Sequence, residues 1–354
     1  MDLAQQFGSV KLKKAAGGTH DRSAPVVAGY GEASSVEKCK DEVHAVNIEN
    51  WYSLLKEHTF ATEFLDLSMD EARSDALALA DLERKIDGLM GAFARDGGAF
   101  VRLSTRSPKD AVISGGRLLH EWQVELARQG PEAERDENAR LVALIKASTA
   151  ALKVRSGREA LALVKASERS NEDLLLALEF PHQWDMKIII RQWVEMHPAM
   201  EFRGFVCGKK LTALSQYFHM AFFPALAAHK ANTIIVQDEI ARRIQAFFAR
   251  HIADLIPLDN YVIDFGIASA DDKEAVTALV AEGGGNDHDL GLLVIELNPF
   301  GAGADPGLFG WRQDRAVLEG DAPFEFRVRE APFDVKPFVI CQWRELIAVP
   351  APQE

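Results

Sequence analysis

The sequence predicts an α+β protein built in two parts. Before residue 185, apolar side chains recur at helical spacings behind helix-capping residues. After it come short runs rich in β-branched residues, such as MKIIIRQWV at 186–194 and YVIDF at 261–265. The length of 354 residues suits two domains or one large two-lobed unit.

Residues 1–35, rich in Gly, Ala, Ser and Lys without sustained periodicity, read as a flexible tail outside the fold. A dense apolar segment follows, containing Trp51, Tyr52, Phe60, Phe64, Leu65 and Leu67. Ser68 and Glu71 have capping-box spacing, and Leu79, Leu82, Ile86, Met90 and Phe93 mark one helix face, ended by Gly97-Gly98. Ala99–Leu103 is a short strand opening into the polar loop Ser104–Asp110. Helices are expected over Arg117–Gln129, then from a second capping box at Ser156 and Glu159 to about Lys165. A third, over Asn171–Leu178, stops before Pro181.

Met186–Val194 has the composition of a strand buried on both faces. Glu201–Cys207 and Lys210–Tyr217 read as a hairpin turning at Gly208. Ile240, Ile244, Phe247, Phe248, Ile252 and Leu255 make a helix face ended by Pro257. Tyr261–Ala268 and Leu290–Asn298 are two further strands of a largely antiparallel sheet. Between them the acidic, Gly-rich stretch 269–289 reads as a mobile insert. The expected division is a helix-rich N-terminal lobe over 36–185 and a sheet lobe over 186–350.

Composition narrows the function. Acidic residues outnumber basic ones 53 to 40, a net charge of −13 that argues against coating DNA or RNA but leaves room for a local anion pocket. No apolar run reaches the ~18–20 residues of a membrane span, and the first residues lack the apolar core of a secretory signal. Cys39, Cys207 and Cys341 are sparse and without metal spacing, which fits reduced thiols in a cytoplasmic protein. Phosphate-loop, dinucleotide-binding, nucleophile-elbow and HExxH motifs are absent, and no nucleophile or acid–base dyad is recognisable.

Three places could carry chemistry. Arg102, Arg106 and Lys109, interleaved with hydroxyl residues, suit phosphate oxygens, or else form a solvated loop. Asp264 interrupts an apolar strand, and Glu296 and Asn298 share one face of another. Two carboxylates and an amide oxygen are hard ligands for Mg²⁺, or else the wet face of a strand. Polar residues also break the strands at Arg191-Gln192-Trp193 and Glu201-Phe202-Arg203. Arg203 could reach a phosphate with Glu201 orienting it, or the two could form a structural ion pair.

At these residues the sequence resembles the cell division cycle protein 123 family. The matching stretches are FVRLSTRSPKDA at 100–111, RQWVEMHPAMEFRGFV at 191–206, LTALSQY at 211–217, YVIDF at 261–265, VIELNPF at 294–300 and GLFGW at 307–311. The Trp51-Tyr52 segment with Phe60–Leu67 fits too. The resemblance implies an ATP-grasp fold that binds Mg-ATP between two α+β lobes. It also implies an assembly chaperone that binds the gamma subunit of eukaryotic translation initiation factor 2 and promotes joining of the alpha subunit, in support of translation initiation and the cell cycle. An ATP-dependent carboxylate ligase or phosphotransferase is the alternative that the same fold allows.

Carried over position by position, the resemblance places Arg102 and Arg203 at the phosphates, with Lys109 either contacting a phosphate or holding the loop. It places Arg191, Gln192 and Trp193 along the adenine, and Asp264, Glu296 and Asn298 at the metal. Arg102 stands where many members carry Lys, and Glu296, one methylene longer, where they carry Asp.

Overall fold

The computed structural model describes residues 43–349, apart from 74–75, 92, 94–96, 114, 228–235, 270 and 272–290. The tail expected over 1–35 lies outside the described residues, as does the 269–289 insert except for Ser269 and Asp271.

Two sheets organise the chain. The first has the order β1-β4-β2-β3, from Thr62–Asp66, Lys187–Gln192, Ala99–Leu103 and Lys153–Val154, and is antiparallel throughout. The second has the order β8-β7-β5-β6-β9, from Leu292–Asn298, Tyr261–Ile267, Glu201–Cys207, Lys210–Gln216 and Glu325–Arg327. Only the β6–β9 pair is parallel. The strand expected in the C-terminal lobe, Lys187–Gln192, is therefore an inner strand of the first sheet, where it joins β1 to β2. Its Ile-rich run is buried on both faces because helices cover one side and the second sheet the other.

Helices α1 (Ile48–Leu55), α2 (Met69–Ala72) and α3 (Ala76–Met90) precede β2. Ser68 and Glu71 form a complete capping box, but the helix it opens is the four-residue α2, separate from α3. Leu82, Ile86 and Met90 of α3 pack with Val101, Leu103, Ile188 and Ile190 on one face of the first sheet. Helix α3 ends at Met90, short of Gly97-Gly98, whose φ of 113° at both residues instead leads the chain into β2.

Helices α4 (Gly116–Gln129), α5 (Glu137–Ala150), α6 (Gly157–Ala166) and α7 (Glu168–Leu178) follow β2. The second capping box is half formed. Ser156 Oγ accepts from the Glu159 N–H, while the Glu159 carboxylate takes the N–H of Arg155. Helix α7 starts three residues before the expected Asn171 because Ser167 caps it.

After β6 come α8 (Pro224–Ala227), α9 (Val236–His251), α10 (Arg315–Leu318) and α11 (Cys341–Ile347). Ile240, Ile244, Phe247 and Phe248 of α9 share a core with Phe202, Val206, Leu214, Ile263 and Phe265 of the second sheet. Leu255, expected on that face, lies beyond the helix end and is 45% exposed. The β5–β6 turn has positive φ at Gly208 (56°) and Lys209 (61°), the geometry of a type I′ hairpin. Helix α11, unsignalled in the sequence, is tied to α5 by Arg140 Nε, which donates to the Leu346 and Ile347 carbonyls.

Candidate functional site

Strand register builds the site. Arg203 on β5 pairs with Asp264 on β7, which pairs with Glu296 on β8, so one row of charged side chains crosses three strands. Asn298, two residues beyond Glu296, lies on the same face. Next to the row, Phe205, Ala213 and Val262 pack against Phe309 and Leu318 and fill the remainder of that face. On the first sheet, Arg102 lies opposite Ile189, and Phe100 opposite Arg191, so both arginines project from one face.

The two sheets meet through those arginines. Arg102 Nη1 donates to Glu296 Oε2 at 2.7 Å, while its other nitrogens hold the carbonyls of Leu103 (3.1 Å) and Thr105 (3.0 Å). Arg191 reaches the Ile295 carbonyl on β8 at 2.6 Å and Thr59 Oγ1 at 2.7 Å, and its guanidinium lies over the Phe60 ring. Thr59 Oγ1 in turn donates to the Val294 carbonyl at 2.7 Å. Arg203 grips Asp264 with two bonds of 2.8 Å, and Asn298 Nδ2 donates to the same carboxylate at 3.2 Å. The orienting partner of Arg203 is thus Asp264, not Glu201.

Lys109 comes to the row from the loop after β2 and donates to Tyr217 Oη at 2.9 Å. Tyr217, at the end of β6, lies under both Lys109 and Arg203 at 5.1 and 5.0 Å from ring centre to cation. Its only sequence signal was a polar ring closing an apolar strand.

The remaining expected residues stand apart. The N–H groups of Gln192 and Trp193 go to the carbonyls of Ala61 and Gly98, and the Trp193 indole donates to Glu195 under Lys153. Arg106 pairs with Asp173 on α7, so the loop cation farthest from the row serves helix docking.

Charges in the row perturb one another. Burial works to raise the Glu296 carboxyl, but Lys109, Arg102 and Arg203 outweigh it and hold the group well below the usual carboxylate range. Burial, with the charges of Asp264 and Glu296, pushes Glu201 up to about 7 against the pull of Lys109. Burial and the neighbouring Arg102 bring Arg191 down to about 9. Arg191 Nε is buried without an acceptor, a donor left over for an anion. Four cations (Arg102, Lys109, Arg191, Arg203) face three carboxylates (Glu201, Asp264, Glu296), which leaves a positive balance in an acidic protein.

The expected metal ligands Asp264, Glu296 and Asn298 stand together, with an arginine on each carboxylate. Among the described residues no three His, Cys, Asp or Glu side chains are arranged around a common point for a metal ion. No helix among them is long and apolar enough to cross a membrane.

Two α+β lobes with a charged site between their sheets define an ATP-grasp architecture. The structure of Cdc123 from Schizosaccharomyces pombe has the same fold, with a TM-score of 0.54 at 19% identity over 82% of this chain and 98% of that one. The D123 family model matches residues 142–345, more than half of the sequence, and the chain belongs to that family. Relatives include the translation initiation factor eIF2 assembly protein of Xenopus laevis, 28% identical over 37% of this chain and 31% of that protein. Another is cell division cycle protein 123 of Phaeosphaeria nodorum, 23% identical over 50% of this chain and 41% of that protein. The chain therefore matches only 31% and 41% of the length of these two relatives.

Proposed function

We propose that this protein binds Mg-ATP between its two sheets and assists assembly of eukaryotic translation initiation factor 2 by holding the factor's gamma subunit, in the cytoplasm. The observation that carries this reading is the family match over 142–345, which contains Arg203, Asp264, Glu296 and Asn298 in one register-matched row. Relatives bearing the name eIF2 assembly protein supply the client. Arg102, Lys109 and Arg203 would hold the phosphates. The unused Arg191 N–H and the positive balance of the site fit a polyanion. Asp264, Glu296 and the Asn298 amide oxygen would hold the cation, a donor set of hard oxygens. Bound Mg-ATP supplies negative charge and a divalent cation, the complements of the cations and acids already facing each other. The protein's own residues supply orientation, since each guanidinium is fixed by two or more hydrogen bonds.

Capture of purified gamma subunit at micromolar concentration, measured with and without Mg-ATP, tests the assembly reading. No capture in either condition overturns it.

A further inference from the structure

We propose that a cavity beside Tyr217, which shares Arg203 with the charged row, is a binding site for a single aromatic ring carrying an oxygen acceptor. The cavity has a volume of about 240 Å³ and lies between α5, the loop after β6 and the C-terminal segment ending in α11. Arg203, Tyr217 and Asp305 line it, so the guest would meet the guanidinium that the proposed function gives to a phosphate, and the test below is made without nucleotide, where its outcome is independent of that reading.

Size sets the class of ligand. A cavity of roughly 150 Å³ lined by Leu, Ile and Phe takes up benzene, and drug-sized sites begin near ~300 Å³. At about 240 Å³ this cavity suits one ring or a fused pair. Leu141 and Ile145 of α5 make one wall, and Phe218, Met220 and Trp343 offer ring edges and a thioether to a guest ring. The Trp343 indole N–H is already spent on the Ile113 carbonyl at 2.9 Å, so no indole donor asks for a partner in the cavity.

The polar end is a donor. Arg203 is 6% exposed and gives three N–H groups to protein: two to Asp264 and one to the Asp305 carbonyl. A guanidinium has five, so two remain for an acceptor on the guest. The Asp305 carboxylate is turned to its own loop, where it accepts from the Gly307 N–H at 2.8 Å. A carboxylate or amide carbonyl on an aromatic guest meets this arrangement. The free acid and a ring borne on a peptide both carry that chemistry.

Calorimetry of the full chain with N-acetyl-L-phenylalanine, its amide and the alanine counterparts tests the proposal. Both phenylalanine compounds are expected to bind about tenfold to a hundredfold tighter than their alanine counterparts, the worth of burying one ring. A preference for the acid marks a free aromatic acid as the guest, and parity with the amide marks a peptide-borne ring. Ser148, on the cavity wall, tests location. Ser148→Phe is expected to fill the space and weaken binding at least tenfold, while Ser148→Ala leaves it unchanged. If Ser148→Phe does not fold, Met220→Ala enlarges the cavity and is expected to shift preference from the phenyl to the naphthyl analogue. Equal binding of phenylalanine and alanine compounds, no binding at millimolar concentration, or indifference to the variant that folds overturns the proposal.

Discussion

Arg102 and Glu296 are 194 residues apart in sequence and meet at 2.7 Å, one from each sheet. At these two site positions the family resemblance implies Lys and Asp in many members, where this chain has Arg and Glu. The longer acid and the forked base answer each other. One guanidinium holds Glu296 and two carbonyls at once, which a point-like ammonium does less well.

Removing one member of that pair leaves the other charge uncompensated in a largely buried setting. Glu296→Gln is expected to cost about 2–4 kcal/mol in urea melts at pH 7. A double-mutant cycle with Arg102→Met should show a coupling of about 1–3 kcal/mol. Because the Glu296 carboxyl is held well below its ordinary value of 4.5, its contribution is present above about pH 4.5 and is lost as pH falls below that. Wild type and Glu296→Gln should therefore converge in acid. A constant gap from pH 7 to pH 3 would show that the pair is not the source.

Glu201 carries the opposite sign. Its carboxyl is raised from 4.5 to about 7 in the folded protein, so folding binds a proton between those values and stability falls as pH rises through them. Glu201→Gln keeps the shape and removes the ionisation. After discounting for partial exposure, the variant is expected to be about 1–3 kcal/mol more stable than wild type at pH 8 and equal to it near pH 4. Thermal melts at the two pH values read this directly, and a variant less stable at pH 8 contradicts the assignment.

What the sequence disclosed follows from the range of the interactions involved. Helix faces and caps are local, so Leu82, Ile86 and Met90, the Ser68 box and the Gly208 turn were legible. Strand identity was legible too, but partnership was not. Lys187–Gln192 pairs with strands more than 80 residues earlier, and nothing in its own composition names them. The carboxylates stood out because acids inside apolar strands are costly. Their partners did not, because register places Arg203 beside Asp264, whereas Glu201, two residues from Arg203, looked the nearer mate. Tyr217 and Thr59 escaped notice because one polar atom on a ring or a β-branched side chain is ordinary in a strand.

Close approach of two helices depends on Gly157. A Cβ there would come within 2.2 Å of the Glu83 carbonyl oxygen and 2.9 Å of its carbon, backbone atoms of α3 that cannot swing aside. Gly157→Ala is therefore expected to lose about 2–3 kcal/mol by forcing α6 away from α3, despite the better helix propensity of alanine. Gly130→Ala, where no atom lies within 4 Å but φ is 89°, is expected to cost less, about 1 kcal/mol from backbone strain alone. Denaturant midpoints rank the two, and a neutral Gly157→Ala would mean that the helices are not in contact there.

Asp264 joins stability to ligand binding, so its variants must separate the two. It is 1% exposed, fixed by two bonds from Arg203 and one from Asn298. Asp264→Asn keeps the volume but halves the acceptors facing the guanidinium, and a loss of about 3–5 kcal/mol is expected. Binding is then read on the fraction that remains folded. Calorimetry of wild type with Mg-ATP should give a saturable heat, and Asp264→Asn at a temperature where it is folded should bind at least tenfold more weakly, the effect of about 1.4 kcal/mol of lost cation contact. Absence of heat with the wild type removes the nucleotide from the site, whereas equal affinity in both proteins leaves Asp264 as the clamp of Arg203 and nothing more.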